Sequence, residues 1–492
     1  MNRAVLTLTP FGDFEDNLQS EERSSVYVLS EAEPEQEAIA LAEESAIRKA
    51  SGHKKLESTA IRATFWIVVD YGAAQALRVA SSMILTRLLM PESFGLMTLV
   101  STLMIGISLI SDIGLNTSII QSKRGDDPVF LNTAWTVQVL RGLGIFVAAA
   151  VMAWPMSLFY HEPRLVWLMI ALGGEIVIDA FKSTNLLSMA RHMGVRRMFA
   201  LDVTSQIVGL AVTAGLAWKY QSVWALVIGV TLNTLYRVIM SHNPWVMPGI
   251  RNRFHWDKAS VHELVHFGKW ILLSTALFFF ASQADRLMMG KLISLSLLGI
   301  YGIAYTVSDI PRQIINAFTN RVGFPFIAKM VHLPIAEFRK VFLQYRLRTL
   351  VGGGALLALV VHGGGVLVAI MYDKRYHGAS WMVPVLALGL WHTLMYSTTY
   401  PALLSLGKSK YGAIGNACYM VTIISAIWIG FHFYGMFGAV VAVAVGDFPI
   451  YLVYTIGASR EKVSTWLQDL QATAAFLVFL GIGLAIRKAI GV

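Results

Sequence analysis

Between residues 61 and 488 the chain reads as about thirteen apolar stretches of roughly twenty residues each, and several of them carry a charge near the middle. Arg78, Arg141, Glu175, Asp179 and Arg312 all lie well inside such stretches. A charged side chain in bilayer hydrocarbon costs several kcal/mol unless it faces a wet cavity or a partner. The pattern therefore predicts an all-α membrane protein crossing the bilayer many times, with a polar interior in which function should be sought.

The predicted segments are 65–89, 94–115, 134–158, 165–190, 198–218, 222–241, 267–290, 296–319, 347–371, 379–405, 411–433, 435–457 and 468–488. Thirteen transmembrane helices is the best reading, and twelve to fourteen fit the same hydropathy. The segment closing the chain is the weakest, since it ends in Arg487-Lys488. Charged residues are only 14% of the chain and apolar ones 55%, which leaves no room for a soluble catalytic domain. The single cysteine, Cys418, excludes an internal disulfide, and no Cys/His cluster suggests a metal or cofactor site. No basic stretch followed by a short apolar run marks a cleavable signal at the start, so insertion is expected through the first segment.

Residues 1–60 hold twelve acidic and six basic residues, whereas the remainder carries a net charge of +16. Runs such as Glu31-Ala32-Glu33-Pro34-Glu35-Gln36-Glu37 predict a disordered or loosely helical acidic tail. Basic residues then set the orientation. With the N-terminus in the cytoplasm, the inner loops collect 18 Lys and Arg and the outer ones six. The inner set includes Arg124, Arg251, Arg339, Arg346 and Lys408; the outer set includes Arg87, Lys291 and Arg375. The loops 116–133, 242–266 and 320–346 all fall inside, and the outer loops are short.

An internal echo predicts two halves. Arg87-Leu88-Leu89-Met90-Pro91-Glu92-Ser93-Phe94-Gly95-Leu96 aligns with Lys291-Leu292-Ile293-Ser294-Leu295-Ser296-Leu297-Leu298-Gly299-Ile300 at an offset of 204. Tight turns between apolar helices can share this look without duplication. With six crossings per half, residues 61–266 and 267–460 would form two pseudo-repeated lobes around a central cavity, and 461–492 an additional helix.

Polar stripes identify the inward faces. Tyr71, Gln75, Arg78 and Ser82 recur at helical spacing, with Asp70 alongside; Tyr305, Asp309, Arg312 and Asn316 do the same. Glu175, Asp179 and Lys182 form a third stripe, Asp285-Arg286 close the seventh segment, and Asn233 and Arg237 lie in the sixth. Some charges can satisfy each other along one helix, as Asp309 with Arg312 or Asp179 with Lys182. Arg78 has only Asp70, two turns away, so a partner on another helix or an anionic ligand is expected. Guanidinium groups at mid-depth suit phosphate or carboxylate, which they bind bidentately. The candidates for binding substrate are Arg78, Arg312, Arg286, Arg141, Gln75 and Asn316; those for coupling to an ion are Glu175, Asp179, Asp309 and Asp70. His362 and His392 are read as hydrogen-bonded structure, and the glycine runs 352–354 and 363–365 as packing sites.

Thr86-Arg87-Leu88-Leu89-Met90-Pro91-Glu92-Ser93-Phe94-Gly95 resembles the ARLLxPxxFG turn of bacterial polysaccharide transporters. Ser111-Asp112-Ile113-Gly114-Leu115 followed by Ile119-Ile120-Gln121 is similar to the same family's second helix and its exit. Phe267-Gly268-Lys269-Trp270, Ala284-Asp285-Arg286-Leu287 and Leu298-Gly299-Ile300-Tyr301 resemble its seventh and eighth helices. The resemblance, over most of 61–460, is to Wzx-type lipid-linked oligosaccharide flippases, in the superfamily that includes MATE drug exporters and the lipid II flippase. It implies a two-lobed bundle in the bacterial inner membrane that moves an undecaprenyl-diphosphate-linked repeat unit outward by alternating access. Implied with it are a lipid-linked oligosaccharide as substrate, polymerase and export machinery as partners, and a monomer with no nucleic-acid role. The long acidic tail departs from the family's usual short N-terminus. A MATE-like antiporter of small molecules is the alternative. An arginine-bearing cavity argues against cationic cargo, while Glu175 and Asp179 argue for it. A membrane enzyme is disfavoured, because no sizeable outer loop and no nucleophile–base constellation is visible.

Overall fold

Once backbone N–H and C=O groups leave water, an unbroken helix satisfies them within one segment, and the chain is built accordingly. The computed structural model describes residues 72–490 apart from 74, 113, 114, 116, 117, 120, 121, 123, 192–194, 247, 248 and 320–322. The acidic tail, Asp70 and Tyr71 lie outside the described residues. Among the described residues there is no strand.

The first helix, α1, covers 75–88. It is followed by α2 (Pro91–Ile110), α3 (Pro128–Tyr160), α4 (Arg164–Ala180), α5 (Asn185–Arg191), α6 (Val195–Tyr220) and α7 (Val223–Ser241). Next come α8 (Lys258–Leu292), α9 (Leu295–Ser308), α10 (Ile310–Phe318), α11 (Phe324–Lys329) and α12 (Ile335–Met371). A 3-10 turn (Lys374–Ala379) leads to α13 (Met382–Ser405), α14 (Lys410–Val445), α15 (Phe448–Arg460) and α16 (Trp466–Ile490). Each predicted segment falls, wherever described, largely on helix. Among the described residues, seven helical stretches are long and apolar enough to cross a membrane, and shorter helices accompany them.

Hydropathy misplaced several ends, because helices continue past their apolar part. α8 begins at Lys258 rather than near 267, after Asp257 caps it by accepting from Ser260 N at 2.9 Å. α12 begins at Ile335 rather than 347. Arg346, counted from sequence among the loop cations, is fully buried inside α12. Its Nη2 lies 2.5 Å from Asp469 Oδ1 on α16, and its other donors reach Gln468, Thr399 and the Met395 carbonyl. This network fastens the final helix to the bundle.

Three predicted segments are interrupted. The fourth breaks at residues 181–184, between α4 and α5. The eighth breaks at Asp309, between α9 and α10, and the twelfth at Gly446-Asp447, between α14 and α15. The last two breaks share the sequence Asp-x-Pro: Asp309-Ile310-Pro311 and Asp447-Phe448-Pro449. Proline lacks the N–H that would bond the carbonyl four residues earlier, so each helix restarts there. Within α14, Gly435 adopts φ 57° and ψ −140°, which turns the chain at the predicted boundary near 434.

The two echoed segments meet in the structure. Gly95 on α2 and Gly299 on α9 lie at one helix crossing. A Cβ at Gly95 would sit 1.8 Å from the Leu295 carbonyl oxygen, and one at Gly299 2.0 Å from the Pro91 carbonyl oxygen. Only glycine allows these backbones to approach so closely. Beside the crossing, Tyr376 OH donates to the Leu89 carbonyl at 3.0 Å and Arg375 Nη2 to the Arg87 carbonyl at 3.0 Å. Near the start of α3, the backbone of the α7–α8 linker is held by side chains of α3. Arg253 N donates to Asn132 Oδ1 at 2.9 Å and His255 N to Thr136 Oγ1 at 3.0 Å.

Candidate substrate and coupling site

The two Asp-x-Pro breaks open onto the same space. A cavity of about 520 Å³ is lined by residues of α8, α9, α10, α13, α14 and α15. Asp309 borders it from the first break and Asp447 from the second, while Asp285 and Arg286 reach it from α8. Discontinuous helices expose backbone groups that continuous ones hide, and transporter sites commonly form at such breaks.

Each charge has its own arrangement. Arg312 Nε lies 2.5 Å from Asp309 Oδ1, and Arg312 Nη2 donates to Tyr305 OH at 2.7 Å. Asp309 Oδ2 accepts from Gln313 Nε2 at 3.1 Å. Asp285 accepts from Tyr301 OH at 2.7 Å. Among the described residues Arg286 has no carboxylate within ion-pair distance; it donates to Gln283 and stacks over the Tyr305 ring with its Cζ 4.8 Å from the centroid. Asp447 pairs with His392 Nε2 through one oxygen. Its other oxygen accepts from Thr393 at 2.7 Å and from Tyr396 at 3.0 Å. Asn316 borders the cavity and Tyr419 completes its wall.

The remaining sequence candidates lie elsewhere. Arg78 borders a separate cleft of about 200 Å³, facing Gln206, Gly209, Thr213 and Asn233 of α6 and α7. Gln75, one turn away, has a buried Oε1 with no hydrogen-bond partner among the described residues. Arg141 donates to the carbonyls of Ser111 and Ser108 at 2.9 and 2.7 Å, closing the end of α2. It borders a third, smaller cavity of about 80 Å³ with Asp179 and Lys182. Those two form an ion pair at 2.7 Å, as their spacing predicted. Glu175 bonds Thr234 across to α7.

Arg312, Arg286, Asn316 and Asp309 are thus brought together, and Arg78, Gln75, Arg141, Glu175 and Asp179 are not among them. Sequence reasoning missed Asp447, Tyr396, Thr393 and Tyr419. For Asp447 a signal existed: an Asp-x-Pro inside an apolar run, matching the one at Asp309. His392, which the sequence predicts to be hydrogen-bonded, is bonded to Asp447, a carboxylate on the cavity wall.

Comparison with known proteins adds a family and a fold. The polysaccharide biosynthesis protein family matches residues 84–391. Among curated relatives, the lipopolysaccharide biosynthesis protein WzxC of Escherichia coli (strain K12) is 22% identical, covering 82% of this chain and 83% of its own. The amylovoran biosynthesis protein AmsL of Erwinia amylovora is 22% identical over 61% of this chain and 77% of its own. Among solved structures, the lipid II flippase MurJ in an inward closed conformation aligns with a TM-score of 0.62 at 11% identity, over 86% of this chain and 99% of that one. An inward-facing MATE family multidrug transporter aligns at 0.57 with 12% identity, over 80% and 98%. At such identities the structural likeness speaks for the fold alone.

Proposed function

Since the chain belongs to the polysaccharide biosynthesis protein family, we propose that it is a flippase of the inner membrane. It would move an undecaprenyl-diphosphate-linked oligosaccharide repeat unit outward by alternating access, for exopolysaccharide, capsule or lipopolysaccharide synthesis. The observation that carries this reading is the 520 Å³ cavity inside an all-helical apolar bundle, with no carboxylate within ion-pair distance of the Arg286 guanidinium among the described residues. A diphosphate and its sugars cannot cross hydrocarbon unassisted. A guanidinium at depth replaces part of the water they lose, while the polyprenyl chain stays in lipid. Relatives named for lipopolysaccharide, amylovoran and succinoglycan biosynthesis support the substrate class.

In this reading Arg286 is the first anion ligand and Asn316 a sugar or phosphate contact. Arg312 joins them when Asp309 releases it. Arg78, alone in its cleft, is a second anion site on the other half. In this reading the lobes are 61–266 and 267–460, the helix in 461–492 is additional, the chain crosses the membrane thirteen times, and the excess of Lys and Arg in the inner loops supports a cytoplasmic N-terminus. The protein performs no covalent chemistry, works as a monomer, and hands its cargo to polymerase and export machinery. Export of small molecules in the MATE manner is the competing reading, favoured by the three carboxylates on the cavity wall.

The decisive test uses cells whose polymer export depends on this chain. Arg286→Ala should stop export and leave the lipid-linked repeat unit on the cytoplasmic leaflet, with the protein still present in the membrane. Normal export by Arg286→Ala, or no accumulated intermediate when the gene is deleted, overturns the reading. Topology is tested by single cysteines at Ser20 and Glu337 after replacing Cys418. Both should resist an impermeant thiol reagent in intact cells.

A further inference from the structure

The cavity wall holds three carboxylates, Asp285, Asp309 and Asp447, but two guanidiniums, Arg286 and Arg312. With His392 neutral, these five groups leave one uncompensated negative charge. His392 is buried and pairs with Asp447, and its Nδ1 has no hydrogen-bond partner among the described residues. We infer that His392 is a proton-binding site whose charge sets the cavity's affinity for an anionic headgroup. This rests on the proposed flippase reading for the identity of the anion, though not for the proton.

The geometry favours a proton over a metal cation. Both Asp447 oxygens are taken, one by His392 and the other by Thr393 and Tyr396. Asp285 is held by Tyr301, and Asp309 by Arg312 and Gln313. Among the described residues no group of three or more His, Cys, Asp or Glu could hold a metal ion. An imidazole with one nitrogen on a carboxylate and the other free needs no rearrangement to accept a proton. His392 meets the cavity through Asp447, which borders it; on protonation Nδ1 takes a proton from water, forming one N–H bond and leaving an imidazolium–carboxylate pair, and release returns that proton to water.

The other groups around the pair do not compensate it. On α13 the neighbours are the Thr393 and Tyr396 hydroxyls, on α14 Tyr419, and on α15 the Phe448 ring, edge-on to His392 at 5.7 Å. Across the cavity are Asp285 and Arg286 on α8, Tyr305 on α9, and the Asp309–Arg312 pair. Protonating His392 takes the five charges and the imidazole together from −1 to zero. A unit charge within about 10 Å, at an effective dielectric of about 20, changes anion affinity on the order of tenfold. By linkage the bound anion raises proton affinity by the same factor.

The test uses the purified full chain in lipid nanodiscs with geranyl diphosphate as the anionic probe. Wild-type affinity should rise about tenfold from pH 8 to pH 6 beyond the probe's own titration. Calorimetry in buffers of different ionisation enthalpy should register proton uptake on binding. Two variants should then move in opposite directions. His392→Gln keeps the charge deficit and should bind weakly at both pH values. Asp447→Asn removes the deficit and should bind tightly at both, with the protonic uptake gone. A structural role alone predicts loss in both variants, so parallel losses overturn the proposal, as does uptake unchanged in His392→Gln. If the wild type binds the probe at no pH, the headgroup reading falls. His392 is still judged by nuclear magnetic resonance of histidine-labelled protein, its signal assigned by difference from His392→Gln. Titration between pH 5 and 8 supports the proposal, and a single unchanging state across that range overturns it.

Discussion

In the large cavity every carboxylate is engaged by a hydroxyl, an amide, an imidazole or a guanidinium. In the cleft beside α1, the Arg78 guanidinium has no partner among the described residues. Both places were marked by the same sequence feature, a charge in the middle of an apolar segment. Yet the cavity is a crowded network, whereas the cleft holds one cation facing amides and small residues such as Gln206, Asn233 and Gly209. Arg141 shows a further outcome, its charge spread over two carbonyls at a helix end. A mid-segment charge therefore says that a polar environment exists. It does not say whether that environment is a ligand's place or the helix's own backbone.

The contrast can be broken by mutation, starting where the effect is largest. Arg346→Ala should destabilise the protein by about 3–5 kcal/mol, because it strands the buried Asp469 carboxylate. Thermal unfolding in detergent would show it, and Arg346→Met with Asp469→Leu should recover most of the loss. If Arg346→Ala is as stable as wild type, burial does not govern these charges and the comparison loses its basis.

Arg78 and Arg312 come next. Replacing either with Ala should abolish polymer export with membrane abundance unchanged, and Lys should rescue only in part, since it lacks the bidentate fork. The two should differ in one respect. Arg312→Ala leaves Asp309 without its cation, so adding Asp309→Asn should restore some export; Arg78→Ala has no such partner to correct. Normal export by both Ala variants would make these arginines structural at most.

A smaller effect is expected at the crossing of α2 and α9. Gly95→Ala must push back the Leu295 carbonyl, at an overpacking cost of about 1–3 kcal/mol. Gly302→Ala, on the same α9 but with its nearest neighbour 3.5 Å from the new Cβ, should be close to neutral. Equal effects would mean that the close approach is not needed. The smallest change is predicted for deletion of residues 1–55, whose composition cannot build a core. Export should stay near normal, and its loss at unchanged abundance would assign the tail a partner.

Much of the architecture was legible because hydrocarbon forces helices, and helices of that length must be apolar. The echo around Gly95 and Gly299 was visible as a pattern, but not that the two glycines meet at one crossing, since an offset of 204 along the chain says nothing of contact. Helix ends were less legible. Lys258 and Ile335 start helices that hydropathy placed nine and twelve residues later, since polar turns can be helical outside the apolar run.

The sequence by itself determined that this chain is an all-helical membrane protein with charges it must hide. It also supplied the Asp-x-Pro pairs that interrupt two helices. Only the tertiary structure decided that Asp309 and Asp447, 138 positions apart, border one cavity, and that, among the described residues, Arg312 is ion-paired there and Arg286 is not. Spacing along one helix fixes which side chains share a face. Which faces meet across the bundle depends on how helices broken at Asp309, Gly435 and Asp447 pack against each other, and no local pattern encodes that.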